Sequence, residues 1–374
     1  MTLNNRSIAL DVFRGMIICL MIIVNTPGNH ETTYVQLQHA AWNGFTLADL
    51  VFPSFLFAVG NALYFAMQKW ATLTQAQVLA KIFKRTLLLF LLGYLLYWFP
   101  FIQYGADGHI ALKPFSQTRV LGVLQRIALC YCIASLLIYY LKPKGALITS
   151  VIILIGYQLI LLWFGEPGHE LSMIGNAVTR LDLWLLGPDH MNHGEVVPFE
   201  PEGLLSTLPA ITNVIAGYFV GWYIQHAGKT GKMLTRLLLT GGGLAALGFC
   251  WSFSFPINKD LWSSSFVLYS VGLDCIMLGV FIYVIDFLHK TRWAGFFQVF
   301  GKNALFIYLL SEMVAIMMRA IRIRHGEHLY NWIYNHIFKF PGMYLGSLLF
   351  AIWFMLMCWL VGWFLDKRKI YIRV

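Results

Sequence analysis

Charge is what this chain has least of. Only 12% of its 374 residues are Asp, Glu, Lys or Arg, about half the share of a soluble domain, whereas 59% are hydrophobic and 16% aromatic. That balance excludes a soluble globular domain and a disordered segment, and it implies an integral membrane protein. Ser-, Pro- and Gln-rich linkers are also missing, and no internal repeat is visible. Residues 1–374 therefore read as a single transmembrane domain. Cysteine is sparse: Cys19, Cys130, Cys132, Cys250, Cys275 and Cys358 all lie in apolar runs, where a free thiol behaves as a small hydrophobe. Neither a disulfide framework nor a metal cluster is expected. Acidic residues are few enough to leave a net charge of +10.

What is present is a series of apolar runs. A helix needs about 20 such residues to cross a hydrocarbon core, because its backbone polar groups must pair internally. Ten runs meet that need: Ser7 to Asn25, Leu47 to Lys69, Phe83 to Tyr104, Arg119 to Leu141, Ala146 to Phe164, Leu204 to His226, Met233 to Phe253, Ser265 to Leu288, Trp293 to Arg319 and Met343 to Leu365. The expected fold is an all-α polytopic membrane bundle of about ten helices. Asp11 and Arg14 make the first run too polar for a signal-peptide core, so it reads as a retained helix.

With the N-terminus inside, sixteen Lys and Arg, from Arg6 to Arg373, fall on the cytoplasmic side and eight on the other. Positive residues are retained inside during insertion, so both termini are expected to be cytoplasmic. Four of the outer eight, Arg319, Arg322, Arg324 and Lys339, share one stretch, which hints that the ninth helix is tilted, longer or broken. This inward bias accounts for the net charge, with membrane lipids as the counterpart and no nucleic acid implied. The outer segment 165–203 carries Glu166, Glu170, Asp182, Asp189, Glu195, Glu200 and Glu202 against Arg180 alone. Such an acidic loop suits either a plain solvated surface or the mouth of a cavity that attracts a cation.

Ionisable groups inside a membrane are costly and usually face a working interior. Asp11 and Arg14 share a helix face, and Arg126, Lys302 and Asn303 lie within their runs. Cationic side chains there suit a phosphate-bearing donor or a structural ion pair with Asp11, Asp274, Asp286 or Glu312. Asp49 stands two residues into the second helix, placed either to meet the helix dipole or to orient a neighbouring histidine. His39 lies fourteen residues beyond Asn25 in a Pro/Gly-containing loop. Histidine suits proton abstraction near neutral pH, and a neutral Asn amide suits an oxyanion.

The run Val24-Asn25-Thr26-Pro27-Gly28, with Leu37-Gln38-His39-Ala40-Ala41-Trp42-Asn43-Gly44 and Leu47-Ala48-Asp49-Leu50-Val51-Phe52-Pro53, joins two membrane helices through a polar loop. It resembles the opening of the heparan-α-glucosaminide N-acetyltransferase family. Supporting stretches are Gly122 to Ile127, Glu202 to Ile211, Phe255 to Trp262 and Gly301 to Ala304. The resemblance implies acetyl transfer from cytoplasmic acetyl-CoA to an amino sugar across the membrane. It places the catalytic His on His39 and the active-site Asn on Asn25. Asp49, as an orienter of histidine, completes the catalytic candidates, and Arg14, Arg126, Lys302 and Asn303, as groups suited to a phosphate-bearing donor, are the donor-binding candidates. Trp42 can stack on a sugar ring, and Asn258 and Lys259 can meet its hydroxyls, although Pro-Ile-Asn-Lys is also an ordinary turn. The chain looks like a compact, bacterial-type plasma-membrane member for which free glucosamine or another envelope amino sugar is a better acceptor than heparan. More distantly, it is similar to membrane acyltransferases that pair an Arg with a His eleven positions later; here Arg14 is followed by Asn25.

Other readings stay open. A sugar or amino-sugar transporter can share the helix count and the buried charges, and the same chemistry can O-acylate an envelope glycan. Asp189-His190-Met191-Asn192-His193 offers potential metal ligands without an HExxH signature, and His325 and His328 read as a headgroup-facing patch. The aromatic helix faces suit a homodimer or lipid contact equally.

Overall fold

A computed structural model describes residues 7–104, 109–192, 198–323 and 326–372. Arg6, Arg324, Arg373, Glu195, His193 and His325, used above, lie outside the described residues. The fold is helical, with one small antiparallel hairpin pairing Ile102–Tyr104 with Ile110–Leu112. The chain divides into two compact units.

The first unit comprises the described residues of 1–40, 46–55 and 277–373. It contains α1 (Ile8–Asn25), the start of α2 (Leu47–Trp70), α9 (Ala294–Lys302), α10 (Ala304–Ala320), α11 (Leu329–Ile333) and α12 (Met343–Lys367). Ala9, Val12, Phe13, Ile17, Ile18 and Ile22 of α1 are all buried, as expected of a helix that is apolar nearly all round. Its approach to α9 runs through glycines. A Cβ at Gly15 would sit 1.8 Å from the Phe297 carbonyl oxygen, and one at Gly301 would sit 2.3 Å from that of Asp11. Small residues let helix backbones meet this closely.

α9 and α10 meet at an 82° bend, so of the three forms open to the ninth run, tilted, longer or broken, the structure has the break. Asn303 leaves the helical conformation there (φ −124°, ψ 37°). Its side chain donates to the Ile370 carbonyl at 3.0 Å and accepts from the Ile372 amide at 2.9 Å. A side-chain amide that binds backbone in this way competes with the helix ladder.

The second unit holds residues 41–45 and 56–276. It contains the rest of α2, α3 (Gln75–Trp98), α4 (Val123–Phe164), α5 (Ala177–Leu186), α6 (Thr207–Ala227), α7 (Gly231–Trp251) and most of α8 (Ser264–Ile282). α3 opens on a capping box between Thr74 and Gln77, which satisfies amides otherwise left without partners. α4 packs between α3 and α6.

Among the described residues six helices are long and apolar enough to cross a membrane, and the bent α9–α10 pair makes up to seven. These make the chain an integral membrane protein. Three features separate that number from the ten runs. α4 joins two runs in one 42-residue helix, bent where Lys142 takes a φ of 62° before Pro143. α3 starts early enough to include Lys81, Lys84 and Arg85, and α6 carries Thr207, Thr212 and Asn213.

Candidate active site

α1 ends at Asn25, and the chain turns at once into a loop pinned by its own unit. The Tyr330 hydroxyl donates to the Pro27 carbonyl at 2.7 Å, and the Gly28 amide donates to the Ser347 carbonyl at 3.2 Å. The Asn29 amide donates to Ser347 Oγ at 3.1 Å, and that hydroxyl donates to the Asn29 carbonyl at 3.0 Å. At Gly28 a Cβ would lie 2.4 Å from the Tyr334 ring, so the loop can seat here only without a side chain. Further along, Gln38 Nε2 donates to the carbonyls of Thr33 (2.9 Å) and His30 (3.1 Å).

This brings His39 to Asp49: Nδ1 and Oδ1 are 2.8 Å apart. Asp49 Oδ2 also accepts from the amides of Ala40 (3.2 Å) and Thr46 (3.0 Å). The Thr46 hydroxyl stands 2.7 Å from the Gln38 carbonyl and 3.0 Å from Asp49 Oδ2. With Oδ1 facing the ring and Oδ2 taken up by these donors, the proton of a neutral imidazole belongs on Nδ1, which leaves Nε2 as the acceptor nitrogen. The Asp49 side chain is 1% exposed and that of His39 45%. The dyad thus has a buried, fixed end and an accessible, basic end. Asp49 stands in the first turn of α2 and also beside His39, so the two placements open to it in the sequence coexist.

Asn25 Nδ2 donates to Glu312 Oε1 on α10 at 3.1 Å. Asn25, His39 and Glu312 line one cavity of about 380 Å³ together with Val24, Pro27, His30, Thr33, Leu37 and Gln38. Burial, helped by the positive charge of Arg319, holds the His30 imidazole below its ordinary range, so it is neutral at pH 7. Sequence reasoning did not single out His30 or Gln38, and it held Glu312 only as a partner for a cation. The His30 signal was its place inside the opening motif's loop. Glu312, 287 residues from Asn25, had no local signal beyond being a lone carboxylate in an apolar run.

Arg14, Lys302 and Asn303 belong to the same unit. Arg14 Nη1 donates to the Gly301 carbonyl at 3.3 Å, and its Nη2 lies 3.8 Å from Asp11. Lys302 Nζ binds both Asp366 oxygens, at 2.9 and 2.8 Å. Asp366 is a partner to which the sequence does not point. It comes from the far end of α12, so no local spacing announces it.

The second unit holds the other candidates. Arg126 lies one turn into α4, fully buried, where it donates to the Gly203 carbonyl at 3.0 Å and to the Ser206 hydroxyl, with its guanidinium 4.8 Å from the Trp262 ring centre. It is engaged with the acidic 165–206 segment. Arg119 bridges Glu200 and Glu202. Burial pushes the Glu200 carboxyl up, to about 7, against the pull of Arg119. Burial also opposes ionisation of Glu202, but Arg119, Arg126 and Lys259 outweigh it and hold that carboxyl below the usual range.

The Trp42 indole N–H donates to the Leu171 carbonyl at 2.9 Å, and its ring packs edge-on against Phe199. Asn258 is buried; it donates to Asn43 Oδ1 at 3.2 Å and accepts from the Leu261 amide at 2.7 Å, which closes its turn. His190 Nδ1 lies 2.9 Å from the Thr118 carbonyl.

The family model described as heparan-alpha-glucosaminide N-acetyltransferase, catalytic, matches residues 6–239. The heparan-alpha-glucosaminide N-acetyltransferase of Homo sapiens is 28% identical over 82% of this chain and 52% of that protein. The Mus musculus protein of the same name is 27% identical over 83% of this chain and 54% of its own length. The chain therefore spans about half the length of these relatives.

Proposed function

Because the chain belongs to the heparan-alpha-glucosaminide N-acetyltransferase catalytic family, we propose that it moves acetyl from cytoplasmic acetyl-CoA to the amine of an extracytoplasmic, glucosamine-like amino sugar. The observation that carries this reading is the His39–Asp49 dyad opening on the same cavity as Asn25 and Glu312. Asp49 fixes the Nδ1–H tautomer of His39, and Nε2 takes a proton from the acceptor amine. The amine nitrogen bonds to the thioester carbonyl carbon, the C–S bond breaks, and CoA leaves as a thiol with the proton that His39 held. The second N–H of Asn25 faces the developing oxyanion. If His39 instead carries the acetyl group first, the same groups serve both half-reactions.

Arg14, Lys302 and Asn303 are the proposed donor-binding residues. Arg14 and Asn25 are eleven residues apart on α1, about 16 Å along the axis at 1.5 Å per residue, the distance an extended thioester arm has to reach. Ten spans with both termini cytoplasmic, in a plasma membrane and working as one transferase domain with the acidic 165–203 loop outside, is the arrangement that puts donor and acceptor on opposite sides. The bend between α9 and α10 is the feature that favours transport instead, since transporters bind at broken helices.

The deciding experiment is transfer of labelled acetyl from acetyl-CoA to glucosamine by purified protein in detergent, beside His39→Ala. Loss of transfer in a variant that keeps CoA binding supports the transferase reading. No transfer to any amino sugar, with sugar uptake into proteoliposomes, replaces it with the transporter.

A further inference from the structure

Resting on that reading, we infer that Glu312 is the subsite for the acceptor's ammonium group and that occupying it prepares Asn25 for the chemical step. Glu312 is the one carboxylate among the nine residues that line the cavity. The other ionisable groups there are two imidazoles, His39 committed to Asp49 and His30 held neutral. Glu312 Oε1 accepts from Asn25, and Oε2 has no hydrogen-bond partner among the described residues. Arg319, two turns further along α10, is close enough for its charge to act on Glu312, but its guanidinium lies 4.7 Å from the Tyr330 ring centre and it does not line the cavity. A half-buried carboxylate lining a cavity calls for a cationic partner, and the space beside it admits one of monosaccharide size, being near the lower end of the ~300–1,000 Å³ range of ligand pockets.

A bare carboxylate 3.1 Å from the Asn25 amide nitrogen repels an oxyanion forming at that amide. An ammonium on Oε2 hands one proton to Glu312, whose neutral carboxyl no longer repels the oxyanion; the amine so freed attacks, its second proton goes to His39 Nε2 and on to the CoA thiol, and the second Asn25 N–H stabilises the oxyanion. The same carboxylate that holds the amine thus keeps the thioester unactivated until an amine is present. Thr33 and Gln38 line the same cavity; the Thr33 hydroxyl and Gln38 Nε2 already donate to backbone carbonyls, which leaves Thr33 Oγ1 and Gln38 Oε1 to accept from sugar hydroxyls.

The test is calorimetric binding of glucosamine, glucose and N-acetylglucosamine to the full-length protein in detergent, with transfer assayed in parallel. Wild type should bind glucosamine at least about ten-fold more tightly than the two neutral sugars, the scale of a charge-assisted hydrogen bond. Glu312→Gln should lose that preference while its affinities for the neutral sugars and CoA hold, and Glu312→Asp should recover part of it. Should the Gln variant not fold, the wild-type preference and the Asp variant decide. A wild type that transfers acetyl but shows no preference for the amine, or a Gln variant that keeps the preference, overturns the Glu312 assignment alone. A wild type that neither binds glucosamine nor acetylates it overturns this inference and the transferase reading together.

Discussion

Asp49 shows how much one carboxylate organises. It fixes the ring of His39 and gathers the amides of Ala40 and Thr46, so the loop's fold and the histidine's tautomer depend on the same two oxygens. Asp49→Asn keeps the size but removes the charge and turns one acceptor into a donor. We expect kcat for acetyl transfer to fall about 10²–10⁴-fold, the range of a general-base contribution, while affinity for CoA changes little because the donor candidates Arg14 and Lys302 lie elsewhere in the unit. Comparable kcat in the variant and the wild type would remove Asp49 from the machinery. Asp49 is legible as a partner because it follows His39 by ten residues, within one loop and one helical turn. Glu312 and Asp366 are not, because their partners come from other helices, 287 and 64 residues away along the chain.

At the scale of an element, the segment from α5 to the start of α6 is held by buried acids. Asp182 on α5 accepts the Leu204 amide at 3.0 Å through Oδ1, while its Oδ2 is buried with no hydrogen-bond partner among the described residues. Burial therefore pushes its carboxyl up to about 6, against the Leu204 amide and Arg126. An acid whose folded value lies above its unfolded one, near 3.8, binds its proton more tightly when folded. Its contribution to stability is full below about pH 4 and is lost as pH rises through 6. Asp182→Asn keeps an acceptor for Leu204 and cannot ionise. Thermal unfolding in detergent should show the variant losing less stability than wild type between pH 4 and 7, a difference on the order of 3 kcal/mol at the upper end. Parallel curves for the two proteins would show that Asp182 does not set this dependence. Glu200 has the same sign, and Glu202, whose carboxyl is held low, the opposite one.

For the whole molecule the decisive property is which end of each unit faces which solution. The positive-inside count predicts the 26–46 loop outside and the turn after α8 inside. Val35 is 72% exposed, and Lys290 is exposed in that turn. In a Cys250→Ser background, a membrane-impermeant maleimide on intact cells should label Val35→Cys directly and Lys290→Cys only after permeabilisation. The reverse pattern would put the acceptor cavity on the cytoplasmic side and undo the two-sided transfer.

Membrane residence, helical class and the His39 motif were determined by the sequence itself. Hydropathy acts on short runs, every backbone polar group in lipid must pair within its own helix, and the loop that carries His39 and Asp49 is contiguous. Helix ends that depend on distant contacts were not readable in this way. The bend at Asn303 exists because its side chain binds Ile370 and Ile372, and the merger of two runs in α4 turns on the backbone at Lys142. The pairing of Asn25 with Glu312, of Lys302 with Asp366 and of Arg126 with Gly203 and Ser206 was decided only by the tertiary structure. An ionisable group buried among apolar helices takes whichever partner packing brings to it, and packing is set by where glycines such as Gly15 and Gly301 let helices touch, which spacing along the chain does not record.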